Sequence, residues 1–415
     1  MNYIEGLGQK AQKAKKSLAT ASTGQKNEIL TRIAAKLLEN QEQILAENEK
    51  DIANARENGI SETMVDRLRL TPERIQGISD ACIQLTNLED PVGEIIEGST
   101  RPNGMKISKI RVPMGVVGII YESRPNVTVD AASLCIKSGN AVILRGGKEA
   151  ICSNKVLMNT MREAVAQCGF PEDIVQLVED TSREVSTQMM KANGLIDVLI
   201  PRGGAGLIQA VVKNATLPVI ETGTGNCHIY VDATADLAMA VNITDNGKTQ
   251  RPSVCNALET CLVHKDVAEE FLPMLKAKLD EHQVEIRGCE RTAAILGDCV
   301  VPATEQDYAT EFLDYIISIK VVDSVEEAIA HVSKYSTGHS ECIVTESYAN
   351  ARKFQEEVDS ACVYVNCSTR FTDGGEFGLG AEIGISTQKL HARGPMGLKE
   401  LTTMKYLICG DGQIR

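Results

Sequence analysis

From residue 115 onward, short apolar runs alternate with amphipathic stretches, and this alternation constrains the fold more than any other sequence feature. Strands joined through helices need crossover connections, which place the strands parallel in one sheet. The first apolar runs, predicted as strands, are 115–121, 141–144, 175–178, 197–200 and 218–221. The stretches between them have helical spacing and lie near 125–137, 149–167, 182–191 and 205–213.

A second alternating set predicts a second α/β domain. Its predicted strands are 228–232, 261–264, 315–322, 341–345 and 363–366. Four helices are predicted between these strands. One begins after Ala233, the second runs from Val267 to about Gln283, the third covers 325–334 and the fourth lies near 348–357. The first 90 residues have helical spacing, and Thr71 before Pro72 is a typical helix start. Strands near 92–112 flank a turn at 101–104, and an exposed strand at 401–409 could add to a neighbouring subunit's sheet.

Composition narrows the class of protein. The net charge of −13 opposes binding to nucleic acid or anionic membranes, and no apolar run is long enough to span a bilayer. Thirteen cysteines without a CxxC pair favour a reducing, cytoplasmic location, and no Cys/His set has metal-ligand spacing. No secretory signal opens the chain. We therefore expect no metal, no nucleic acid and no membrane partner.

Cys255 is the candidate nucleophile. Lys248 and Arg251 precede it, and we expect a helix to begin after it, so that cations and backbone N–H groups favour the thiolate. A carboxylate, Glu221, and the glycine turn TGTG lie upstream. The alternative is a small buried thiol without a chemical role.

No G-x-G-x-x-G follows a predicted strand, so the usual dinucleotide fingerprint is missing. Two other strand ends are better cofactor candidates, because ligands of parallel sheets bind there. One carries Arg145 and Lys148 around two glycines, and the other carries Arg202, Gly203 and Gly204 at a predicted helix N-terminus that would attract phosphate. Arg145 and Lys148 favour NADPH over NADH, since both could pair with a 2′-phosphate. The alternative is two ordinary turns with solvated charges.

Together these motifs resemble the aldehyde dehydrogenase superfamily and, within it, the glutamate-5-semialdehyde dehydrogenase (γ-glutamyl phosphate reductase) family. The resemblance runs almost end to end, with Val332 a departure that changes no chemistry. The matching segments are 112–132, 221–232, 248–260, 321–343 and 370–406.

This resemblance implies an aldehyde dehydrogenase-like α/β fold with two parallel-sheet domains and a small oligomerisation arm. The expected division is 1–225 for the cofactor, 226–370 for catalysis and 371–415 returning to the first domain. It also implies NADPH-dependent reduction of L-glutamyl 5-phosphate in proline biosynthesis, through a thioester on Cys255. A homo-oligomer is expected, and association with glutamate 5-kinase is a further expectation.

The resemblance implies site residues as well. Asn256 and backbone N–H groups would stabilise the oxyanion. Glu221 stands where hydrolytic relatives keep the base that activates water, and here its role is either to position substrate or nicotinamide or to transfer a proton. Glu311 resembles the residue that holds the nicotinamide ribose, or is a plain exposed glutamate, and His331 is expected to pack in the interior. The candidate substrate ligands are Glu122, Arg124, Arg251, His339 and Arg370.

Two other functions stay open at this point. A hydrolytic aldehyde dehydrogenase would oxidise a semialdehyde without needing phosphate. An inactive nucleotide-binding subunit would show no thiol-dependent turnover. A stand-alone enzyme is favoured over half of a bifunctional synthase, because residue 1 is methionine and no kinase segment precedes it.

Overall fold

A computed structural model describes residues 2–415. The chain divides into two compact units. Unit 1 comprises Met1–Thr222, Gly378–Gly384 and Met396–Arg415, and unit 2 comprises Gly223–Phe377 and Ile385–Pro395. The chain therefore crosses between the units four times. Within the described range, no helix is both long enough and apolar enough to cross a membrane.

Unit 1 begins with helices and continues as alternating strands and helices. Its helices are α1 (Tyr3–Ala19), α2 (Thr23–Glu39), α3 (Gln41–Glu57), α4 (Glu62–Leu68), α5 (Pro72–Thr86), α6 (Pro125–Lys137), α7 (Ile151–Gln167), α8 (Arg183–Met190) and α9 (Ala205–Asn214). The predicted start of α5 is confirmed, because the Thr71 side chain accepts a hydrogen bond from Arg74 N and Pro72 follows it.

A parallel four-stranded sheet forms the centre of unit 1. Its strands are β3 (Val116–Tyr121), β4 (Ala141–Arg145), β5 (Val175–Leu177) and β6 (Val198–Arg202), in the order β5-β4-β3-β6. β3 is buried along its whole length because helices cover both faces. The predicted fifth strand at 218–221 is wrong: it pairs only through a single bridge between Leu199 and Val219.

A second sheet of unit 1 forms the predicted arm. β1 (Ile95–Thr100) and β2 (Lys106–Pro113) form a hairpin, and β16 (Thr402–Cys409) pairs antiparallel with β2 from Thr402↔Pro113 to Cys409↔Lys106. Gly104 takes φ +89 in the hairpin turn, a left-handed value that favours glycine.

Unit 2 contains a seven-stranded parallel sheet in the order β10-β9-β11-β8-β7-β12-β13. These strands are β7 (Cys227–Val231), β8 (Leu258–His264), β9 (Glu285–Gly288), β10 (Val301–Pro302), β11 (Ile316–Val322), β12 (Ser340–Val344) and β13 (Cys362–Val365). The helices are α10 (Leu237–Thr249), α11 (Lys265–Asp280), α12 (Glu290–Leu296), α13 (Glu305–Tyr308), α14 (Val325–Tyr335) and α15 (Tyr348–Glu357). A two-stranded ladder, β14 (Gly384–Ser386) with β15 (Gly394–Met396), completes the structure.

The α/β fold with two parallel sheets is confirmed. In unit 2, α10, α11 and α12 cover one face of the sheet through an apolar core that includes Phe271, and α14 and α15 cover the other face around Phe354. The sequence analysis missed β9 and α12, whose short segments carry little periodicity.

Candidate active site

Cys255 lies in the loop between α10 and β8 of unit 2 and is half-buried. The chain runs from Cys255 into a strand that begins at Leu258, so the helix predicted after the cysteine is wrong. The short run after Cys255 is apolar because it is the start of a buried central strand. Helix N–H groups therefore do not explain an activated thiol here.

The glycine turn before β7 packs directly against the backbone of Cys255. A Cβ atom at Gly225 would lie 1.4 Å from the Cys255 carbonyl oxygen, so only glycine allows this approach. The Cys227 thiol donates to the same carbonyl oxygen over 3.2 Å. On the other side of the turn, Gly225 N donates to Glu311 Oε1 over 2.7 Å. Gly225 and the Cys227 thiol thus contact the carbonyl of the candidate nucleophile, and Glu311 holds Gly225 in turn.

Asn256 is tied to the segment that follows β13. Its side-chain Nδ2 donates to the backbone carbonyl oxygens of Thr372 (2.8 Å) and Arg370 (3.3 Å). The backbone carbonyl of Asn256 accepts from Thr369 Oγ1 (2.8 Å). Both amide N–H groups are therefore used for positioning in this structure. The segment 369–372 and the Cys255 loop form one hydrogen-bonded assembly.

Two arginines predicted as anion ligands lie near Cys255. Arg251 is exposed in the same loop, and half-buried Arg370 donates from Nε to Gln250 Oε1 over 3.0 Å. Burial lowers the pKa of Arg370, nearby Arg251 lowers it further, and Cys255 is among the groups close enough to raise it. The structure therefore brings Cys255, Arg251 and Arg370 together, as the sequence analysis expected for an anionic substrate.

Lys248 does not serve as a free cation beside the thiol. It is fully buried and pairs with fully buried Glu259, with 2.6 Å between Nζ and Oε2. Burial lowers the pKa of Lys248 and raises that of Glu259 to about 7. The positive charge predicted to stabilise the thiolate is thus largely matched by Glu259.

His339 and His331 lie in the interior of unit 2. His339 Nδ1 is 2.8 Å from Ser340 Oγ and 3.8 Å from Cys227 Sγ, and burial lowers the pKa of His339 to about 4. The His339 side chain is fully buried, and direct contact between His339 and substrate stays a prediction. The packing role predicted for His331 is confirmed by its 4% exposure and by its ring contacts with Tyr308 and Tyr335.

In unit 1, the candidate cofactor residues stand at the carboxyl ends of β4 and β6. Arg145 donates from Nη2 to the Thr181 carbonyl over 2.6 Å, while its buried Nε has no protein partner. Burial lowers the pKa of Arg145. Lys148 is exposed just beyond the same strand. One cation is held in place and the other is free to reach a ligand.

The turn after β6 shows a contact that the sequence did not predict. Glu122, expected to meet a substrate ammonium, accepts a hydrogen bond at Oε2 from Gly204 N over 2.9 Å. Glu122 therefore caps α9, at the helix start where the phosphate was expected. Arg124 is exposed at the start of α6, and Glu221 is half-buried at the end of the first segment of unit 1.

Known proteins resemble this chain over its whole length. The aldehyde dehydrogenase family matches residues 3–297 and 300–407. A gamma-glutamyl phosphate reductase from Carboxydothermus hydrogenoformans is 59% identical, with 100% of both chains covered. The crystal structure of a gamma-glutamyl phosphate reductase from Thermotoga maritima is 52% identical, covers 100% of both chains and superposes with a TM-score of 0.98.

The chain belongs to the gamma-glutamyl phosphate reductase family of oxidoreductases, within the aldehyde dehydrogenase family. The resemblance found in the motifs is confirmed over the whole length. A more distant structure, an acetylating aldehyde dehydrogenase from Geobacillus thermoglucosidasius, is 16% identical with a TM-score of 0.70 and shows the shared fold alone.

Three residues near the candidate sites of this family member escaped the sequence analysis. They are Cys227 and Glu259 in unit 2 and Glu149 in unit 1, which accepts from Ser123 Oγ over 3.2 Å. Glu259 had a usable signal, because a carboxylate inside an apolar strand requires a buried partner. Across residues 2–415, no group of three or more His, Cys, Asp or Glu side chains is arranged to hold a metal ion.

Proposed function

We propose that this chain reduces L-glutamyl 5-phosphate to L-glutamate 5-semialdehyde and phosphate with NADPH, the second step of proline biosynthesis. The observation that carries the proposal is 59% identity, over the full length of both chains, to a relative named gamma-glutamyl phosphate reductase. The half-buried cysteine beside two arginines supports it, since an acyl phosphate needs a nucleophile and cations.

Cys255 is the proposed nucleophile. Its thiolate attacks the acyl carbonyl carbon, a carbon–sulfur bond forms, and the bond from that carbon to the phosphate oxygen breaks. Phosphate leaves without protonation of the carbonyl oxygen, and a thioester remains. NADPH, when bound, supplies the hydride that converts this thioester to the aldehyde and returns the thiolate.

The neighbours of Cys255 have proposed roles of their own. Arg251 and Arg370 neutralise the anionic substrate, because both lie on the segments joined at Cys255 and Asn256. For Asn256 we propose that one N–H turns to the oxyanion. The 3.3 Å contact to the Arg370 carbonyl is the weaker of its two and is the one released.

Two carboxylates and one arginine of unit 1 complete the substrate proposal. Arg124 is exposed and would bind a substrate anion, and Glu122 would meet the ammonium by leaving Gly204 N. Glu221 stands where hydrolytic relatives keep a base for water. Since phosphate replaces water as the acyl acceptor, we propose that Glu221 positions ligands and activates no nucleophile.

The strand ends of unit 1 fit a phosphorylated cofactor. Arg145 has an unpartnered buried Nε, Lys148 is an exposed cation beside it, and both can pair with a 2′-phosphate. Arg202 and the backbone of Gly203 and Gly204 at the start of α9 fit a pyrophosphate. Glu311 is proposed for the nicotinamide ribose through Oε2, since Oε1 accepts from Gly225 N.

One assay tests the proposed function in the reverse direction. Purified protein receives glutamate semialdehyde and NADP⁺, and absorbance of NADPH is followed with and without inorganic phosphate. The proposal expects reduction of NADP⁺ only with phosphate present. Phosphate-independent reduction would indicate a hydrolytic aldehyde dehydrogenase, and no turnover under any condition would indicate an inactive nucleotide-binding subunit.

We propose a homo-oligomer formed through the arm. The arm sheet exposes apolar side chains, with Ile95 68% and Ile408 62% exposed, and β16 is one of its two edge strands. Light scattering after size exclusion should show a mass that falls when Ile408 and Tyr406 are changed to Lys. Adding glutamate 5-kinase to the same run tests the expected association with that enzyme.

We place the reaction in the cytoplasm, since thirteen cysteines outside disulfides fit a reducing compartment.

A further inference from the structure

A buried ion pair lies at the base of the Cys255 loop. Lys248 is in the last turn of α10, and Glu259 is the second residue of β8, so the two stand on either side of the loop 250–257. Both side chains have 0% exposure, and their charged atoms are 2.6 Å apart. A pair in this position closes the loop that carries the proposed nucleophile.

The same carboxylate reaches a second segment of unit 2. Glu259 Oε1 accepts from Leu313 N over 3.2 Å, and Leu313 has φ +57, a left-handed conformation that non-glycine residues seldom adopt. Two residues earlier, Glu311 holds Gly225 N, and Gly225 packs against the Cys255 carbonyl. Glu259 therefore joins the loop of Cys255 to the turn of Glu311.

The pair also lies within electrostatic reach of Cys227, the residue whose thiol contacts the Cys255 carbonyl. Cys227, which donates to the Cys255 carbonyl, is close enough to be acted on by Glu259, Glu311 and Cys255, and Lys248 is acted on in turn by Cys227. The other charged groups that face this cluster are Asp314, which acts on Lys248, Glu341, which acts on Cys227, and Arg251 and Arg370 near Cys255. With Lys248 and Glu259 both ionised, their summed charge is near zero.

We propose that the Lys248–Glu259 pair is a positioning device for Cys255, which holds the nucleophile's loop against the Glu311 turn and keeps the buried charge beside Cys227 balanced. The inference rests on the proposed role of Cys255. It assigns a role in the reaction to two residues that contact neither substrate nor cofactor. Geometry and charge can be separated experimentally, because each has its own conservative variant.

The variants Glu259→Gln and Lys248→Met test the charge part of the proposal. Glu259→Gln keeps the size of the side chain and removes the negative charge, so the Cys255 thiolate should form at lower pH over the range in which buried Lys248 keeps its proton. Lys248→Met leaves a buried carboxylate that can take up a proton, so the opposite shift should be smaller. The double variant should return close to the wild-type profile, because the charges leave together.

Thiol reactivity is the readout. The whole chain is treated with iodoacetamide across a pH series, and alkylation of the Cys255 peptide is measured by mass spectrometry to separate it from the other cysteines. We expect the Glu259→Gln profile to move down by about one pH unit, the lower end of what a nearby opposite charge produces. Asp90→Asn, which alters the buried Lys26–Asp90 pair of unit 1, is the matched control and should move nothing.

The variant Glu259→Asp tests the positioning part of the proposal. It keeps the negative charge, but its shorter side chain reaches less far toward Lys248 and Leu313. We expect its alkylation profile to match the wild type while kcat falls at least about tenfold and the KM for substrate changes less. Should Glu259→Gln fail to fold, Lys248→Met and Glu259→Asp still decide, the first by an upward shift and the second by the loss of kcat.

Shifts of the same sign in Glu259→Gln and Lys248→Met, or no shift in either, would overturn the inference. Full kcat in Glu259→Asp would overturn the positioning part. Failure of the proposed function is distinguishable, because the wild-type protein would then show no phosphate-dependent reduction of NADP⁺, whatever the pair does to thiol reactivity.

Discussion

Two glycine-rich turns in this chain use glycine for different physical reasons. In the segment 201–206 of unit 1, which joins β6 to the start of α9, Gly204 and Gly206 are exposed, and a Cβ at Gly206 would meet no atom within 4 Å. In the turn before β7 of unit 2, Gly225 is buried, and a Cβ would overlap the Cys255 carbonyl. The first segment places the start of α9 at the surface, where Gly204 N donates to Glu122, and the second brings the chain's own nucleophile loop close. Similar composition therefore does not imply a similar role.

The comparison depends first on the role of Cys255. We expect Cys255→Ser to lose at least about a thousandfold in kcat, roughly 4 kcal/mol of barrier, because an alkoxide is far less available than a thiolate at neutral pH. Steady-state assays of the folded variant check this, with cofactor binding as the control. More than about a tenth of wild-type kcat would contradict covalent catalysis at Cys255.

The two turns are compared directly by Gly225→Ala and Gly206→Ala. In Gly225→Ala the Cys255 carbonyl must move to relieve the overlap, so kcat should fall about a hundredfold, the order expected from a 1 Å misplacement. Gly206→Ala, with open space around it, should keep kcat and thermal stability near the wild type. Equal tolerance at both positions would mean that the two turns do not differ as described.

The closed interior of unit 2 also predicts a pH dependence of stability. Burial lowers the pKa of His339 to about 4 and that of His331 to about 2, whereas both titrate near 6.5 when unfolded. Below pH 6.5 the unfolded chain binds more protons, so the free energy of unfolding decreases as pH falls. For each histidine the decrease between pH 6.5 and 4 should be of the order of 3 kcal/mol.

Denaturant titrations at pH 7, 5.5 and 4 check this prediction. All six histidines belong to unit 2 (His228, His264, His282, His331, His339 and His391), so the histidine contribution to the titration reports on that unit. His331→Phe should flatten the decrease, while His282→Gln, at an exposed position, should leave it unchanged. An unchanged slope in His331→Phe would show that His331 does not contribute.

The double variant Arg145→Gln and Lys148→Gln tests the proposed cofactor site of unit 1. We expect the KM for NADPH to rise tenfold or more and the KM for NADH to change little, because only NADPH carries a 2′-phosphate and a charged hydrogen bond contributes about 1.5–3 kcal/mol. Kinetics with both cofactors check this, with Lys155→Gln as a control on the same unit. Equal effects on both cofactors would assign these cations to the fold or to the pyrophosphate.

The smallest effect is expected at Glu221, at the chain's first crossing between the units. Glu221→Gln should keep kcat within about tenfold, because general base catalysis contributes about 10²–10⁴-fold where it operates and none is needed here. Any larger change should appear in KM. A thousandfold loss of kcat with intact substrate binding would make Glu221 a proton-transfer residue.

Local sequence was sufficient for most of the architecture. The predicted helices 125–137 and 348–357 match α6 and α15 at both ends, because their apolar spacing and flanking residues are local signals. The exceptions are short or nonlocal. The run 218–221 is apolar without being a strand, and the residues after Cys255 read as a helix start although they open the buried strand β8.

The sequence by itself determined the fold class, the family and the candidate nucleophile, since periodicity and motif order are properties of neighbouring residues. Only the tertiary structure decided what each charged side chain faces. It paired Lys248 with Glu259, placed Glu122 on Gly204 N and buried His339 beside Cys227. The reason is that burial and charge pairing depend on residues far apart in the chain, and these contacts set the desolvation and partners that determine a group's chemistry.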